Sequence, residues 1–149
     1  MKSTWILVAD SSRARIFTVD TLSSPLEEID DLTHMESRLR DREITSDLPG
    51  RNRGEGGAGG HAFEQATDPK QNEADSFAHY VAHYLDSARN NNKISRLLIV
   101  AEPTFLGLLR KHISEPLRKM VSFELDKNIT EQSVDIIRKH IPTHASELV

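Results

Sequence analysis

The chain reads as an α/β domain built on a mixed five-stranded sheet, three antiparallel strands followed by parallel ones, with helices on both faces in a ribonuclease-H-like or Rossmann-like arrangement. Three observations predict this. Two short apolar runs near the N-terminus are separated by turn chemistry, which marks a hairpin. A long stretch after residue 68 carries apolar residues at spacings of three and four, which marks an amphipathic helix. The run Leu97-Leu98-Ile99-Val100 is apolar without a break, as a central parallel strand buried on both faces must be.

The elements follow in order. Thr4 to Asp10 fits a buried strand, and Ala14 to Asp20, rich in Ile, Phe and Val, fits a second; Asp10-Ser11-Ser12-Arg13 supplies the turn between them. Trp5 is expected to pack into the core. Leu26 to Leu32 is acidic and reads as an edge strand completing a meander. A helix then starts with Asp68 as N-cap, Pro69 at the first helical position and Gln71 as capping-box partner, and runs to about Arg89. Its core stripe is Ala74, Phe77, Ala78, Val81, Leu85 and Ala88, and Asn90-Asn91-Asn92 ends it. Arg96 to Ala101 is the first parallel strand. Glu102-Pro103 opens a helix with Phe105, Leu106, Leu109 and Ile113 inward, and Ser114-Glu115-Pro116 restarts a short one. Val121 to Leu125 is the last strand. Thr130 to Ile141 is a closing helix with Val134, Ile137 and Ile141 on one side, stopped by Pro142.

Composition bounds the rest. A chain of 149 residues is one domain by length and can bury a real core. A net charge of −4 argues against coating nucleic acid by bulk charge, while leaving room for a local basic patch. With no cysteine there is no disulfide framework, thiol nucleophile or cysteine zinc site, which suits a reducing cytoplasm. The run Trp5-Ile6-Leu7-Val8-Ala9 is too short for a signal peptide, and no later run is long enough to cross a membrane. The protein is therefore expected to be cytoplasmic, with no membrane partner.

Six of the seven glycines fall between Gly50 and Gly60, inside a polar stretch at residues 37–66 that is expected to be a mobile loop. Gly54-Glu55-Gly56-Gly57-Ala58-Gly59 satisfies the pattern G-x-G-x-x-G. A dinucleotide site would need it to join the first strand directly to a helix, and here the helix starts about ten residues later. No Gly-Lys-Ser or Gly-Lys-Thr follows, so no Walker A loop is present. Arg38, Arg40, Arg42, Arg51 and Arg53 approach the tip, where guanidinium groups can fork onto phosphates and Gly56, Gly57, Gly59 and Gly60 let backbone pass close to RNA. Glu36, Asp41, Glu43, Asp47 and Glu55 bring the local charge near neutral, so a solvated surface loop without a ligand is the competing reading.

A three-stranded start, a long arginine-containing loop tipped by Gly-Gly and then a long helix resemble the middle domain of archaeal and eukaryotic class-1 release factors. More closely, the chain resembles the bacterial family commonly named host attachment protein, which is grouped with that superfamily. The resemblance is carried by Trp5-Ile6-Leu7-Val8-Ala9-Asp10, Ala14-Arg15-Ile16-Phe17, the Gly-rich tip with His61, the Phe77 helix and the stretch from Ala101-Glu102-Pro103 to Leu106-Gly107 and Leu109. It spans nearly the whole chain. In the release factors a Gly-Gly-Gln tip helps water hydrolyse peptidyl-tRNA. Here His61 follows Gly59-Gly60, and the nearest glutamine, Gln65, is five residues past Gly60. A histidine can still position a water, but the amide geometry is gone, so peptide release is not expected. The resemblance implies a ribosome- or tRNA-related partner.

Two other constellations carry chemistry on paper. Asp10 and Glu102 close neighbouring parallel strands, as acids do in metal-dependent nucleases. Asp10 also sits where a turn wants an Asx residue, and Glu102 where a helix wants a cap; with no third acid placed, capping is the stronger reading. Asp75, His79 and His83 are spaced four apart on one helix face, a spacing that binds zinc elsewhere. Opposite the core stripe, they read better as surface residues with local charge pairing. His34, His112, His140 and His144 form no pattern.

These readings converge on a binder rather than an enzyme, needing neither metal nor cofactor. It would touch ribosome or structured RNA through Arg38, Arg40, Arg42, Arg51, Arg53, the tip glycines and His61. The family's name offers host attachment as a second class of function. A metal-dependent nuclease or hydrolase acting through His61 or the Asp10 and Glu102 pair is a third.

Overall fold

The hairpin expected around Asp10-Ser11-Ser12-Arg13 opens the fold in a computed structural model, which describes residues 2–34 and 69–144. Strand β1 (Ser3–Ala9) turns into β2 (Arg13–Val19), and β3 (Glu27–Thr33) completes the meander. After α1 (Pro69–Asn90) come β4 (Ile94–Ala101), α2 (Pro103–His112), the one-turn α3 (Glu115–Arg118), β5 (Val121–Asp126) and α4 (Val134–Lys139). The sheet order is β3-β2-β1-β4-β5. β2 is antiparallel to both β1 and β3, whereas β4 runs parallel to β1 and to β5. This is the mixed five-stranded arrangement the sequence predicts, with strand ends within about two residues of the expected positions.

Alternation along the strands sends side chains to two cores. On one face Trp5, Leu7 and Ala9 of β1, Ala14 and Ile16 of β2 and Leu97, Ile99 and Ala101 of β4 pack against α1, α2 and α3. On the other, Ile6, Val8, Phe17, Val19, Leu98 and Val100 meet Ile129, Ile137 and Ile141 from the C-terminal stretch that includes α4. The central strands β1 and β4 are thus covered on both sides, which is why their sequences are unbroken hydrophobic runs. Trp5 is buried as expected and lies 6.4 Å, ring to ring, from Tyr84.

The helix stripe also behaves as its spacing requires. Phe77, Ala78, Val81, Leu85 and Ala88 are buried, Ala74 at the start of the stripe is half-buried, and the Phe77 ring lies tilted 5.7 Å from that of Phe105 of α2. The helix ends in a Schellman motif: Asn92 adopts φ 61°, its N–H donates to Arg89 O, and the Lys93 N–H donates to Ala88 O. Asparagine tolerates that left-handed geometry better than most residues. The proposed N-cap Asp68 lies outside the described residues.

The closing helix departs from expectation. It begins at Val134 rather than Thr130, with Ser133 Oγ accepting from the Ile136 N–H as N-cap. The carbonyls of Thr130 and Gln132 are instead occupied by Arg15 Nη1, at 3.0 and 2.8 Å, and Asn128 Oδ1 accepts from the Thr130 N–H and hydroxyl. A helical continuation would compete for those groups. Ile137 and Ile141 are buried as predicted, but Val134, on the first turn of a six-residue helix, is exposed.

Both edge strands are irregular. β3 inserts Ile29 between the partners of Ile16 and Phe17, and β5 inserts Ser122 between the partners of Leu97 and Leu98. Each is a bulge, two residues against one.

Candidate functional site

The carboxyl ends of β1 and β4 lie side by side, with Ala9 paired to Ala101 and the Glu102 N–H donating to Ala9 O at 3.0 Å. The two acids singled out from the sequence are therefore brought to one edge of the sheet. Asp10 Oδ1 accepts from the N–H groups of Ser12 and Arg13, both at 2.9 Å, which closes the hairpin. Glu102 caps α2, its Oε2 accepting from Thr104 N–H and its Oε1 from Phe105 N–H, each at 3.0 Å. The arrangement neutralises orphan amides at a turn and a helix start. Among the described residues no three His, Cys, Asp or Glu side chains converge to hold a metal ion.

Beside these acids stands a charge network that sequence reading missed. Arg13 forks onto Asp31 of β3, with Nε to Oδ1 at 3.0 Å and Nη2 to Oδ2 at 2.7 Å, and reaches Glu131 at 3.3 Å. The hydrogen bonds from Arg13 hold the Asp31 carboxyl below the usual carboxylate range. One pair of strand residues inward, Arg15 forks onto Glu28 with both contacts at 3.0 Å, and its guanidinium lies 5.2 Å from the Phe17 ring. Only the cross-strand placement of Arg13 and Arg15 against Asp31 and Glu28 could have signalled this, and that requires the register.

The described residues that flank the Gly/Arg-rich segment lie at the same edge. β3 ends level with Arg13, and the His34 N–H donates to Ser12 O at 2.9 Å, so the chain leaves the described fold there. It returns at Pro69. Because α1 ends at the opposite edge, where the Ser3 N–H donates to Lys93 O, its 22 residues, about 33 Å of helix, carry its start past the carboxyl ends of the strands. Arg38, Arg40, Arg42, Arg51, Arg53, Gly56, Gly57, Gly59, Gly60 and His61 lie outside the described residues.

The histidines of α1 meet a partner that had no visible pattern in the sequence. His112 of α2 sits 2.9 Å, through Nε2, from Asp75 Oδ1, and its ring contacts that of His79 edge-on at 5.2 Å. His79, His83, Asp86, His112 and Ser114 line a shallow open groove of about 100 Å³. Asp86 accepts from Arg89 Nε and from the Ser114 hydroxyl, both at 2.8 Å, and these bonds hold its carboxyl below the usual range. The pairing expected of Asp75 with its neighbours on α1 is replaced by one with His112 of α2. It joins two helices rather than one face of one.

Residues 5–141 match the family described as "Protein required for attachment to host cells". The chain belongs to this host-attachment family. An uncharacterised protein of Rickettsia prowazekii (strain Madrid E) is 31% identical over 84 residues, 55% of this chain and 56% of that protein. The chain thus spans about half the length of this curated relative. Among the described residues of this family member, no helix is long and apolar enough to cross a membrane.

Proposed function

We propose that this family member is a cytoplasmic RNA-binding factor with a ribosome- or tRNA-related target, engaged through residues 37–66 without hydrolysis of peptidyl-tRNA. The observation that carries the reading is the convergence of both flanks of that segment on the carboxyl edge of β1 and β4, a place where open α/β sheets offer their ligands. Arginines suited to phosphate and glycines suited to close backbone approach stand within the segment. His61 in place of the release-factor glutamine removes the amide that would orient water. Asp10 Oδ1 and both carboxylate oxygens of Glu102 accept from backbone amides, which supports capping over acid–base or metal chemistry.

Sucrose-gradient sedimentation tests this. The intact protein should co-migrate with ribosomes at low salt, less so at moderate salt as phosphate contacts weaken, and a variant lacking residues 54–60 should stay at the top. Absence of the intact protein from ribosomal fractions would sink the reading. The family's description favours a second one, a part in attachment to host cells. Detection of the protein on intact cells, with attachment lost when it is removed by surface proteolysis, would move the weight there.

A further inference from the structure

The segment from α2 into α3 carries Arg110, Lys111, Arg118 and Lys119, all exposed, within a chain whose net charge is −4. Arg118 Nη2 donates to Arg110 O at 3.0 Å, tying the two helices into a single ridge at the end of the molecule opposite the carboxyl edge. Elsewhere the arginines Arg13, Arg15 and Arg89 are locked onto carboxylates at 3.0 Å or less. On the ridge, Arg118 reaches Glu115 only at 3.8 Å, and neither Lys111 nor Lys119 has a carboxylate partner among the described residues. Arg110 is paired more closely, to Glu124 of β5.

The α2 dipole accounts for Arg110 and Lys111 in its last turn. It does not account for Arg118 and Lys119, the last residue and C-cap of a four-residue helix with little dipole to complement. The exposed large hydrophobic residues of the described fold are Ile29, Val134 and Ile136, none of them on the ridge, so the surface lacks what would bury into a lipid headgroup layer. Charge without apolar anchors suits a phosphate backbone.

We propose that the Arg110, Lys111, Arg118 and Lys119 ridge is a second RNA-contact surface that grips phosphates without reading sequence. It rests on the RNA reading above for the class of partner, but it lies on a different face and can fail separately. Glu115, beside Arg118, and Glu124, bonded to Arg110, are the acids that weaken it.

The test uses the full chain, a fluorescein-labelled RNA hairpin and a salt series. The double variant Lys111→Glu with Lys119→Glu should weaken binding about tenfold or more at low salt and lower the slope of log K against log salt by roughly one to two. Its midpoint of thermal unfolding should fall only slightly, since neither lysine is paired with a carboxylate and only Lys111 complements the α2 dipole. Glu115→Gln should strengthen binding severalfold. Unchanged affinity and slope in the double variant would overturn the ridge, as would sedimentation of the intact chain with anionic lipid vesicles in place of RNA. The chain lacking residues 54–60 separates the two proposals. If it binds the hairpin through Lys111 and Lys119, the ridge stands and the segment reading falls; if it loses all binding while the double variant keeps it, the reverse holds.

Discussion

At the scale of single residues, the contacts that fix this fold are often between groups far apart in sequence. The Tyr84 hydroxyl of α1 donates to Asp30 Oδ2 of β3 at 2.6 Å, pinning an edge strand to the helix that covers it. Burial, and then the hydrogen bond to Asp30, push the Tyr84 phenol above its ordinary range. A raised folded-state pKa stabilises the fold fully below the ordinary phenol value of about 10 and is lost as pH rises through the higher folded value. Tyr84→Phe should therefore cost about 1.5–3 kcal/mol in urea unfolding at neutral pH, the value of a hydrogen bond to a charged acceptor. The difference from the parent should shrink at strongly alkaline pH. Absorbance titration should show this tyrosine ionising later than a free phenol.

Residue identity alone disclosed part of the candidate site. Asp10 and Glu102 were legible because turn and cap chemistry are local, and the structure shows each making those local bonds. His112 was not. Its partners Asp75 and His79 come from another helix, and nothing within a few residues of His112 reports how α1 crosses α2.

At the scale of elements, Arg15 shows why boundaries are harder to read than periodicity. Helical spacing after residue 130 is real, yet a guanidinium from β2 takes the carbonyls of Thr130 and Gln132 and delays α4 until Ser133 can cap it. Periodicity reports which face is apolar and is silent about a distant donor. Arg15 is buried, so its removal leaves two carbonyls and the Glu28 carboxylate, on a side chain 29% exposed, without their donors. Arg15→Met should destabilise the chain by about 3 kcal/mol, near the lower end for a broken buried ion pair because Glu28 keeps some water. Chemical-shift changes should concentrate in residues 127–139 and β3. A loss under 1 kcal/mol would show that the strut is dispensable.

At the scale of the whole molecule, strand and helix order were legible because each central strand is hydrophobic on both faces and each covering helix on one. The two cores follow from that alternation. The unequal layers were not legible: three helices cover one face, while the other has a short helix and an irregular approach to it. Charge is divided as unevenly as the layers. Asp10, Asp31, Glu102 and Glu131 gather where the strands end, and Lys93, Lys111, Arg118 and Lys119 gather where β4 and β5 begin.

The bulges at Ile29 and Ser122 have a consequence for how molecules of this kind meet one another. An open sheet presents two rows of unpaired amides and carbonyls, an invitation for another copy to zip on strand by strand. Here each row is interrupted by an inserted residue, and β3 adds Glu27, Glu28, Asp30 and Asp31, which would face their own like charges in a self-paired edge. Crowded or heated preparations should accordingly resist fibril growth. Excising Ile29, which straightens the β3 edge, should raise thioflavin fluorescence on prolonged warming, whereas an unchanged signal would mean that the acids alone keep neighbouring copies apart.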